Sequence, residues 1–302
     1  MRVTLTGATG LIGGALIARL RERGAQITVL TRDPRRLAEQ PGVQALAWDP
    51  SARPAPVEAL AGRDAVIHLA GEPVAQRWSP RAKTAIRASR VSATGNLVAG
   101  LNDCPAPQRP AVLVSSSAIG YYGAHGEQPL DEDSPPGSDF LAEVCVAWEA
   151  GAQQASQLGM RVVKVRTGVV LDSAGGALAK MLTPFRLGVG GPVGDGRQYI
   201  SWIHIEDLAG IMLSAAQEQK WSGPINATAP APATNRDFSK ALGRALHRPA
   251  LLPVPAAAMR LIYGEMAQII TTGARVLPAR ALVLGYRFAY PELDGALRDA
   301  LG

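Results

Sequence analysis

The chain has 302 residues, 47% hydrophobic and 19% charged, enough for one large domain or a domain with a smaller lobe, and far from a disordered composition. Its formal charge of +6 is spread over arginines without a run of like charges or a basic stripe interleaved with aromatics, so no nucleic-acid platform is expected, although anionic ligands are favoured. Cys104 and Cys145 form no CxxC pair and there is no Cys/His cluster, so neither a metal site nor a disulfide framework is expected.

In chain order, Met1-Arg2-Val3-Thr4-Leu5-Thr6 runs directly into glycines, leaving no room for a signal peptide. No apolar stretch reaches membrane-spanning length, so a cytoplasmic protein with no membrane partner is expected. Apolar runs at Val3–Thr6, Gln26–Thr31, Val43–Trp48, Ala65–Leu69, Val112–Ser116 and Arg161–Arg166 read as strands. Between them lie helical patterns at Leu11–Arg23, Pro80–Leu101 and Phe140–Leu158, the second opened by Ser79 as N-cap before a first-turn proline. This alternation predicts an α/β fold: a Rossmann-type doubly wound parallel sheet with a smaller C-terminal α/β substrate lobe.

After Thr167 glycines crowd the chain, from Gly175 to Gly196, and residues 173–198 read as loops bordering a cleft. Tyr199–Ile205 and Glu206–Gln217 read as a strand and helix returning to the main sheet. Ala229-Pro230-Ala231-Pro232-Ala233 reads as a stiff connector, and Thr234 opens a helix over Phe238–Leu246 with a capping-box-like turn. The expected division is residues 1–228 for the dinucleotide domain and 229–302 for the lobe, whose body begins near Leu251.

The first chemical signal is Gly7-Ala8-Thr9-Gly10-Leu11-Ile12-Gly13, between a strand and a helix. Gly7 permits a tight turn, Gly10 lets backbone approach a pyrophosphate, and Gly13 allows close helix–strand packing; Thr9, Leu11 and Ile12 complete the loop. The tip of the second strand, Thr31-Arg32-Asp33-Pro34-Arg35-Arg36, discriminates the cofactor. Arg32 suits a 2′-phosphate, whereas Asp33 before proline reads as a turn residue, so NADP(H) is favoured over NAD.

These residues resemble the extended short-chain dehydrogenase/reductase superfamily, of the NAD-dependent epimerase/dehydratase type, along the whole chain. His68-Leu69-Ala70-Gly71 is similar to the family's segment passing the adenosine and pyrophosphate. Ser115-Ser116-Ser117-Ala118 with Tyr122-Gly123 resembles its serine-bearing strand end, and Arg166-Thr167-Gly168-Val169-Val170 its loop beside the nicotinamide. Trp202-Ile203-His204-Ile205-Glu206-Asp207 resembles a later strand-to-helix motif. A closer likeness is to an atypical, epimerase-like branch of unknown function. It rests on Leu69-Ala70-Gly71-Glu72, Ile86-Arg87-Ala88-Ser89-Arg90, Pro184-Phe185-Arg186-Leu187-Gly188, Gly264-Glu265 and Leu284-Gly285-Tyr286-Arg287-Phe288. The resemblance implies NADP binding.

Ordinary members of the superfamily carry Tyr-x-x-x-Lys, in which the lysine and the cofactor ribose lower the tyrosine pKa. Counting along Phe140–Glu149 places Leu141 and Cys145 at those positions, a departure the resemblance associates with the atypical branch. Chemistry then falls to Ser115 and Ser117 at a strand end and to the phenol of Tyr122, with Tyr121 beside it. Lys83, Arg87, Arg90 and Thr94 share one helix face; Arg90 is the expected cofactor contact and Arg87 suits an anionic substrate. Cys145 reads as core filling or a reactive thiol, His68 and His204 as packing, and His125 and Glu72 as weaker cleft groups.

The expected catalytic residues are therefore Ser117, Tyr122 and Ser115. The expected cofactor contacts are Gly7, Thr9, Gly10, Leu11, Ile12, Gly13, Thr31, Arg32, Leu69, Ala70, Gly71, Arg90, Ser115 and Val170. The expected activity is that of an NADP(H)-dependent oxidoreductase or epimerase-type enzyme on a small polar substrate. The alternative is a non-catalytic NADP(H)-binding redox sensor or scaffold.

Overall fold

Strand β1 (Arg2–Thr6) feeds helix α1 (Leu11–Glu22) through the glycine loop, and β2 (Gln26–Thr31) returns beside it. There follow β3 (Val43–Ala47), α2 (Val57–Leu60), β4 (Ala65–His68), α3 (Pro80–Asp103), β5 (Val112–Ala118), β6 (Gly126–Leu130), α4 (Phe140–Gln153), β7 (Arg161–Thr167) and β8 (Val169–Leu171). The chain continues through α5 (Gly176–Arg186), β9 (Tyr199–Ile200), β10 (Trp202–His204), α6 (Ile205–Gln217), β11 (Gly223–Ala227), β12 (Ala233–Thr234) and α7 (Asn235–Ala245). It ends with α8 (Ala256–Tyr263), α9 (Ala267–Thr271), β13 (Ala274–Val276), α10 (Ala279–Val283) and α11 (Leu293–Leu301). This computed structural model describes residues 1–37, 41–250 and 252–302; Leu251, the expected start of the lobe body, lies outside the described residues.

Seven parallel strands form the main sheet in the order β3-β2-β1-β4-β5-β7-β11. The order reverses between β1 and β4, opening a crevice at their carboxyl ends where such folds receive ligands. Side-chain alternation sorts each strand between two apolar layers. Val3, Leu5, Val29, Ile67 and Val114 face α1 and α6, with Leu16, Leu20, Leu208 and Met212. Leu30, Val66, Leu113 and Val162 face α3, with Leu97 and Leu101. All are buried, and truncating one such leucine to alanine costs roughly 2–5 kcal/mol.

A separate apolar core joins Leu178, Leu182 and Phe185 of α5 to Trp202, Phe238, Leu242 and Leu297. Residues on both sides of position 228 share it, so the second lobe is assembled from inserts as well as from the chain end. Segment 173–198 is not all loop, as the glycine content suggested. Leu178, Leu182 and Phe185, spaced i, i+4 and i+7, wind it into α5, although Pro184 interrupts the last turn.

Tyr199–Ile205 also departs from expectation. It divides at Ser201, so that β10 pairs with β8 and β9 with β12, both outside the main sheet. Ser201 Oγ donates to Ala274 O at 2.8 Å and accepts from Val276 N at 2.9 Å, which peels the two halves apart. The main sheet instead closes with β11. The Ala229–Ala233 connector is packed down, with Ala229 N donating to Trp202 O and Trp202 Nε1 to Ala231 O at 3.0 Å. Helix α7 starts at Asn235, capped by Thr234, whose Oγ accepts from Asp237 N at 3.1 Å.

Candidate functional site

The loop after β1 has the geometry its glycines require. Gly7 has φ +67°, and a Cβ there would lie 2.7 Å from Leu69 C and 2.8 Å from Ala70 N. A Cβ on Gly13 would lie 2.4 Å from Ala8 Cα, so α1 leaves the sheet at closest approach. Gly10 differs: its Cβ would meet only Gly7 O, at 3.4 Å, and the residue is exposed. Gly10 is also the N-cap of α1 and offers no side-chain cap, nor is there an acidic residue in the first turn. The first N–H groups and the positive end of the helix therefore face the crevice, and this cradle fits a pyrophosphate.

Thr9 beside Gly10 is exposed, and Leu11 is half-buried against Gly175 and Gly176, where a Gly175 Cβ would lie 3.3 Å from Leu11 Cδ1. The start of α5 thus borders the glycine loop. Ile12, Leu69 and Val170, far apart in sequence, are all half-buried and pack against the same apolar layer.

Beneath the turn that follows β4 runs a buried hydrogen-bond chain. Thr6 Oγ1 accepts from Leu69 N at 3.2 Å and Ala70 N at 3.3 Å, which leaves its proton for His68 Nδ1 at 2.7 Å. His68 Nε2–H then donates to Thr94 Oγ1 at 3.1 Å, so donor counting assigns a neutral tautomer. Burial lowers the His68 pKa to about 4. His68 is thus more than strand packing: it ties β1, β4 and α3 together under Leu69-Ala70-Gly71.

At the tip of β2, Thr31 Oγ1 accepts from Asp33 N at 3.3 Å. Asp33 is engaged by Arg35, accepting from its N at 3.3 Å and its Nε at 3.0 Å, and this bonding holds its carboxyl below the ordinary value. Arg32 is exposed and makes no ion pair among the described residues. The turn thus takes up the carboxylate and leaves a guanidinium at the strand tip.

The serines of β5 point to opposite faces and all are buried. Ser115 Oγ donates to Ser116 O at 3.2 Å, while Ser116 Oγ has no partner among the described residues. Ser117 Oγ donates to Glu149 Oε1 at 2.7 Å. Glu149 in turn accepts from Arg166, Nε to Oε1 at 2.8 Å and Nη2 to Oε2 at 2.9 Å. Arg166 Nη1 donates to Tyr122 Oη at 2.9 Å, and that hydroxyl donates to Asn226 Oδ1 at 2.7 Å. Tyr121 lies 3.4 Å from the Arg166 guanidinium carbon, measured to its ring centre.

This network corrects the reading of Tyr122. Its side chain is completely buried, its proton is bound to Asn226, and burial pushes its pKa up to about 12 against the pull of Arg166. It is a structural phenol rather than a proton donor to the crevice. Ser117 likewise has its proton committed to Glu149. Cys145 is buried, and burial, reinforced by the Glu149 charge, pushes its thiol up to about 12, so it is not a thiolate nucleophile. Leu141 lies against Gly120, whose added Cβ would be 3.3 Å from Leu141 Cβ.

Of the basic face on α3, Lys83 is paired with Glu265 at 2.5 Å above the ring of Phe140, and Thr94 is bound to His68. Arg87 is exposed. Arg90 turns inward, donating from Nη1 to Glu72 O at 3.0 Å and lying 5.2 Å from the Trp148 ring centre. Glu72 N donates to Ser89 Oγ at 2.9 Å, and His125 Nδ1 is buried without a partner among the described residues. His204 caps α6, accepting from Glu206 N at 3.3 Å, and its Nε2 lies 3.2 Å from Asp299 Oδ2.

Sequence reasoning missed Glu149, Glu132 and Asn226. Glu149 stood eight residues after Leu141 with no local sign that Arg166 would meet it. Among the described residues no group of His, Cys, Asp and Glu is arranged to hold a metal, and no helix is long and apolar enough to cross a membrane.

Residues 3–227 match the NAD dependent epimerase/dehydratase family, and residues 254–300 match a domain of unknown function. The chain is 43% identical to an epimerase family protein SDR39U1 homolog of Arabidopsis thaliana, described as chloroplastic, over 99% of this chain and 86% of the relative. It is 38% identical to the human epimerase family protein SDR39U1 over 99% of each chain. The crystal structure of that human protein (isoform 2) with NADPH superposes with a TM-score of 0.89, at 38% identity and 99% coverage of both chains. A UDP-galactose 4-epimerase shares the fold at 18% identity, with a TM-score of 0.75 over 99% of this chain and 97% of the other. This chain belongs to the NAD dependent epimerase/dehydratase family.

Proposed function

We propose that the protein binds NADP(H) at the carboxyl ends of β1, β2 and β4 and acts as an oxidoreductase or epimerase-type enzyme on a small polar substrate. The observation that carries this reading is the open, uncapped N-terminus of α1 at Gly10, set beside a strand tip where Asp33 is engaged and Arg32 is exposed. Gly7 through Gly13 hold the pyrophosphate by backbone N–H groups. Thr31 and Arg32 take the adenosine ribose and its 2′-phosphate. Leu69, Ala70 and Gly71 pass beneath the dinucleotide, and Ile12 and Val170 wall its apolar side. The human relative crystallised with NADPH supports the choice of cofactor.

The cofactor, when bound, supplies hydride transfer. Ser117 keeps its lone pairs after donating to Glu149, so it meets a substrate hydroxyl as an acceptor, with Ser115 behind it. Leu141 and Cys145 stand where the family's tyrosine and lysine are expected, and neither furnishes a low-pKa phenol. Arg87, exposed on α3, is the group offered to an anionic substrate. We also place the protein in the cytoplasm as part of this reading.

Titration with NADPH and NADH tests the cofactor assignment. NADPH is expected to bind more tightly, and Arg32→Ala to remove that preference; tighter binding of NADH by the unmodified protein would refute it. The lack of a phenol at position 141 favours a second reading, a non-catalytic NADP(H)-binding sensor or scaffold. NADPH oxidation across a panel of carbonyl compounds separates the two, since the sensor turns over none of them.

A further inference from the structure

Five of the nine large apolar side chains exposed among the described residues lie in two short segments of the second lobe. They are Leu187 and Val189 after α5, Leu252 before α8, and Leu261 and Ile262 on α8. Leu261 is 79% and Leu187 73% exposed, and no residue of α8 is buried. The two segments are knit into one surface. Val254 N donates to Pro192 O at 2.8 Å and Gly194 N to Val254 O at 2.9 Å, and a Cβ on Gly191 would strike Leu252 O. Aliphatic side chains gathered in this way mark a face that something covers.

The same surface is basic. Residues 173–194 and 238–264 contain no Asp or Glu, and Lys180, Arg186, Arg248 and Arg260 all fall within them. Arg248 Nε donates to Arg186 O at 3.1 Å, which brings two of these cations together. Arg77 joins from the segment after β4, its Nη1 donating to Leu261 O at 3.3 Å. All five are exposed, and none forms an ion pair among the described residues. Asp195 and Glu265, which border the two segments, are taken up by Arg197 and Lys83.

Cations without ion pairs around aliphatic side chains are complementary to an anionic, amphipathic surface. A second copy of the chain is a poor match, because two-fold pairing would set these arginines on their own images. A protein partner is ordinarily gripped through aromatic anchors, whereas the exposed apolar groups here are all aliphatic. An anionic bilayer meets both features: its headgroups take the cations and its acyl boundary takes the leucines. That no helix among the described residues is long and apolar enough to cross a membrane bears on spanning it, not on resting against its surface.

We propose that this face, α8 with the loop after α5, docks the protein on the surface of an anionic phospholipid bilayer. Leu187, Leu261 and Ile262 enter the boundary between headgroups and acyl chains, and Arg186 and Arg260 lie on the headgroups. The contact is peripheral, and it stands apart from the cofactor reading.

The test mixes the full chain with vesicles of phosphatidylcholine alone and of equimolar phosphatidylcholine and phosphatidylglycerol, and reads the bound fraction by co-sedimentation. Binding is expected to the anionic vesicles only, and to weaken as salt is raised and the surface charges are screened. Leu261→Asp with Ile262→Asp, and Arg186→Ser with Arg260→Ser, are each expected to lower the partition roughly tenfold or more. These positions are exposed, so both variants are expected to keep the parent's melting temperature and its affinity for NADPH, which separates a lost surface from a lost fold. The five native tryptophans are buried, so Leu187→Trp and Leu261→Trp each add one exposed reporter, whose emission is expected to shift to the blue on anionic vesicles. No binding to anionic vesicles, or binding that neither double variant weakens, overturns the proposal. So does binding to polyglutamate without binding to vesicles, which assigns the face to an acidic protein. A parent dimer that Leu261→Asp with Ile262→Asp converts to monomer assigns it to a second copy and overturns the proposal as well.

Discussion

Glu149 and Arg166 form a two-pronged ion pair, with bonds of 2.8 and 2.9 Å, in which both side chains are almost wholly buried. Burial alone would disfavour the Arg166 charge, but the hydrogen bonds and charge of Glu149 more than offset it, and its pKa is raised. The pair welds α4 to β7 and fixes Ser117, Tyr122 and, through Arg166, the carbonyl of Glu132. Breaking one half leaves an uncompensated buried charge. Glu149→Ala is therefore expected to destabilise the fold by about 3–5 kcal/mol, whereas Glu149→Met with Arg166→Met is expected to cost clearly less than that single change. Urea unfolding of the three proteins checks the order; a double variant less stable than Glu149→Ala contradicts it.

The glycines of the first loop should separate folding from binding. Gly13→Ala drives a Cβ to 2.4 Å from Ala8 Cα and is expected to lower the melting temperature severely. Gly10→Ala meets nothing closer than 3.4 Å and is expected to melt within a few degrees of the parent while losing most of its affinity for NADPH. Thermal melts paired with cofactor titration decide this, and equal loss of stability in both variants counts against the cradle.

His68 makes stability depend on pH. Its folded pKa of about 4 lies below its ordinary value of 6.5, so the unfolded chain takes up a proton first as the pH drops. Stability from this group is complete above pH 6.5 and falls as pH approaches 4, by up to about 3 kcal/mol. His68→Gln should flatten the dependence over that interval. Denaturant midpoints at several pH values would show it, and an unchanged slope in the variant removes His68 as the cause.

Asp207 at the start of α6 holds the chain end in place. It accepts from Ala289 N at 2.8 Å and Tyr290 N at 2.9 Å, and Tyr286 Oη lies 3.3 Å from the same carboxylate. Asp207→Ala removes the acceptor of two partly buried N–H groups and is expected to cost roughly 1–3 kcal/mol. Limited proteolysis should then cut first near residues 286–290; a cleavage pattern like that of the parent would count against this anchor.

The strands of the main sheet were legible because they are apolar on both faces, and the helices between them carry one apolar stripe each. The glycine loop was legible because its constraint is local, a positive φ at Gly7 and close approaches at Gly7 and Gly13. Helix α5 was hidden because Gly175 and Gly176 at its start are also turn residues. The break at Ser201 was hidden because its cause, hydrogen bonds to residues 274 and 276, lies more than seventy positions away.

The sequence by itself determined the fold class, the cofactor loop and the arginine at the β2 tip, since periodicity and backbone freedom are properties of neighbouring residues. Only the tertiary structure decided what the polar residues do. It buried Tyr122 on Asn226, committed the Ser117 proton to Glu149, and turned Arg90 onto the carbonyl of Glu72. Those outcomes depend on which charges and acceptors come within bonding distance once the helices pack. A buried polar group takes its role from the partner that satisfies it, not from its place in the chain.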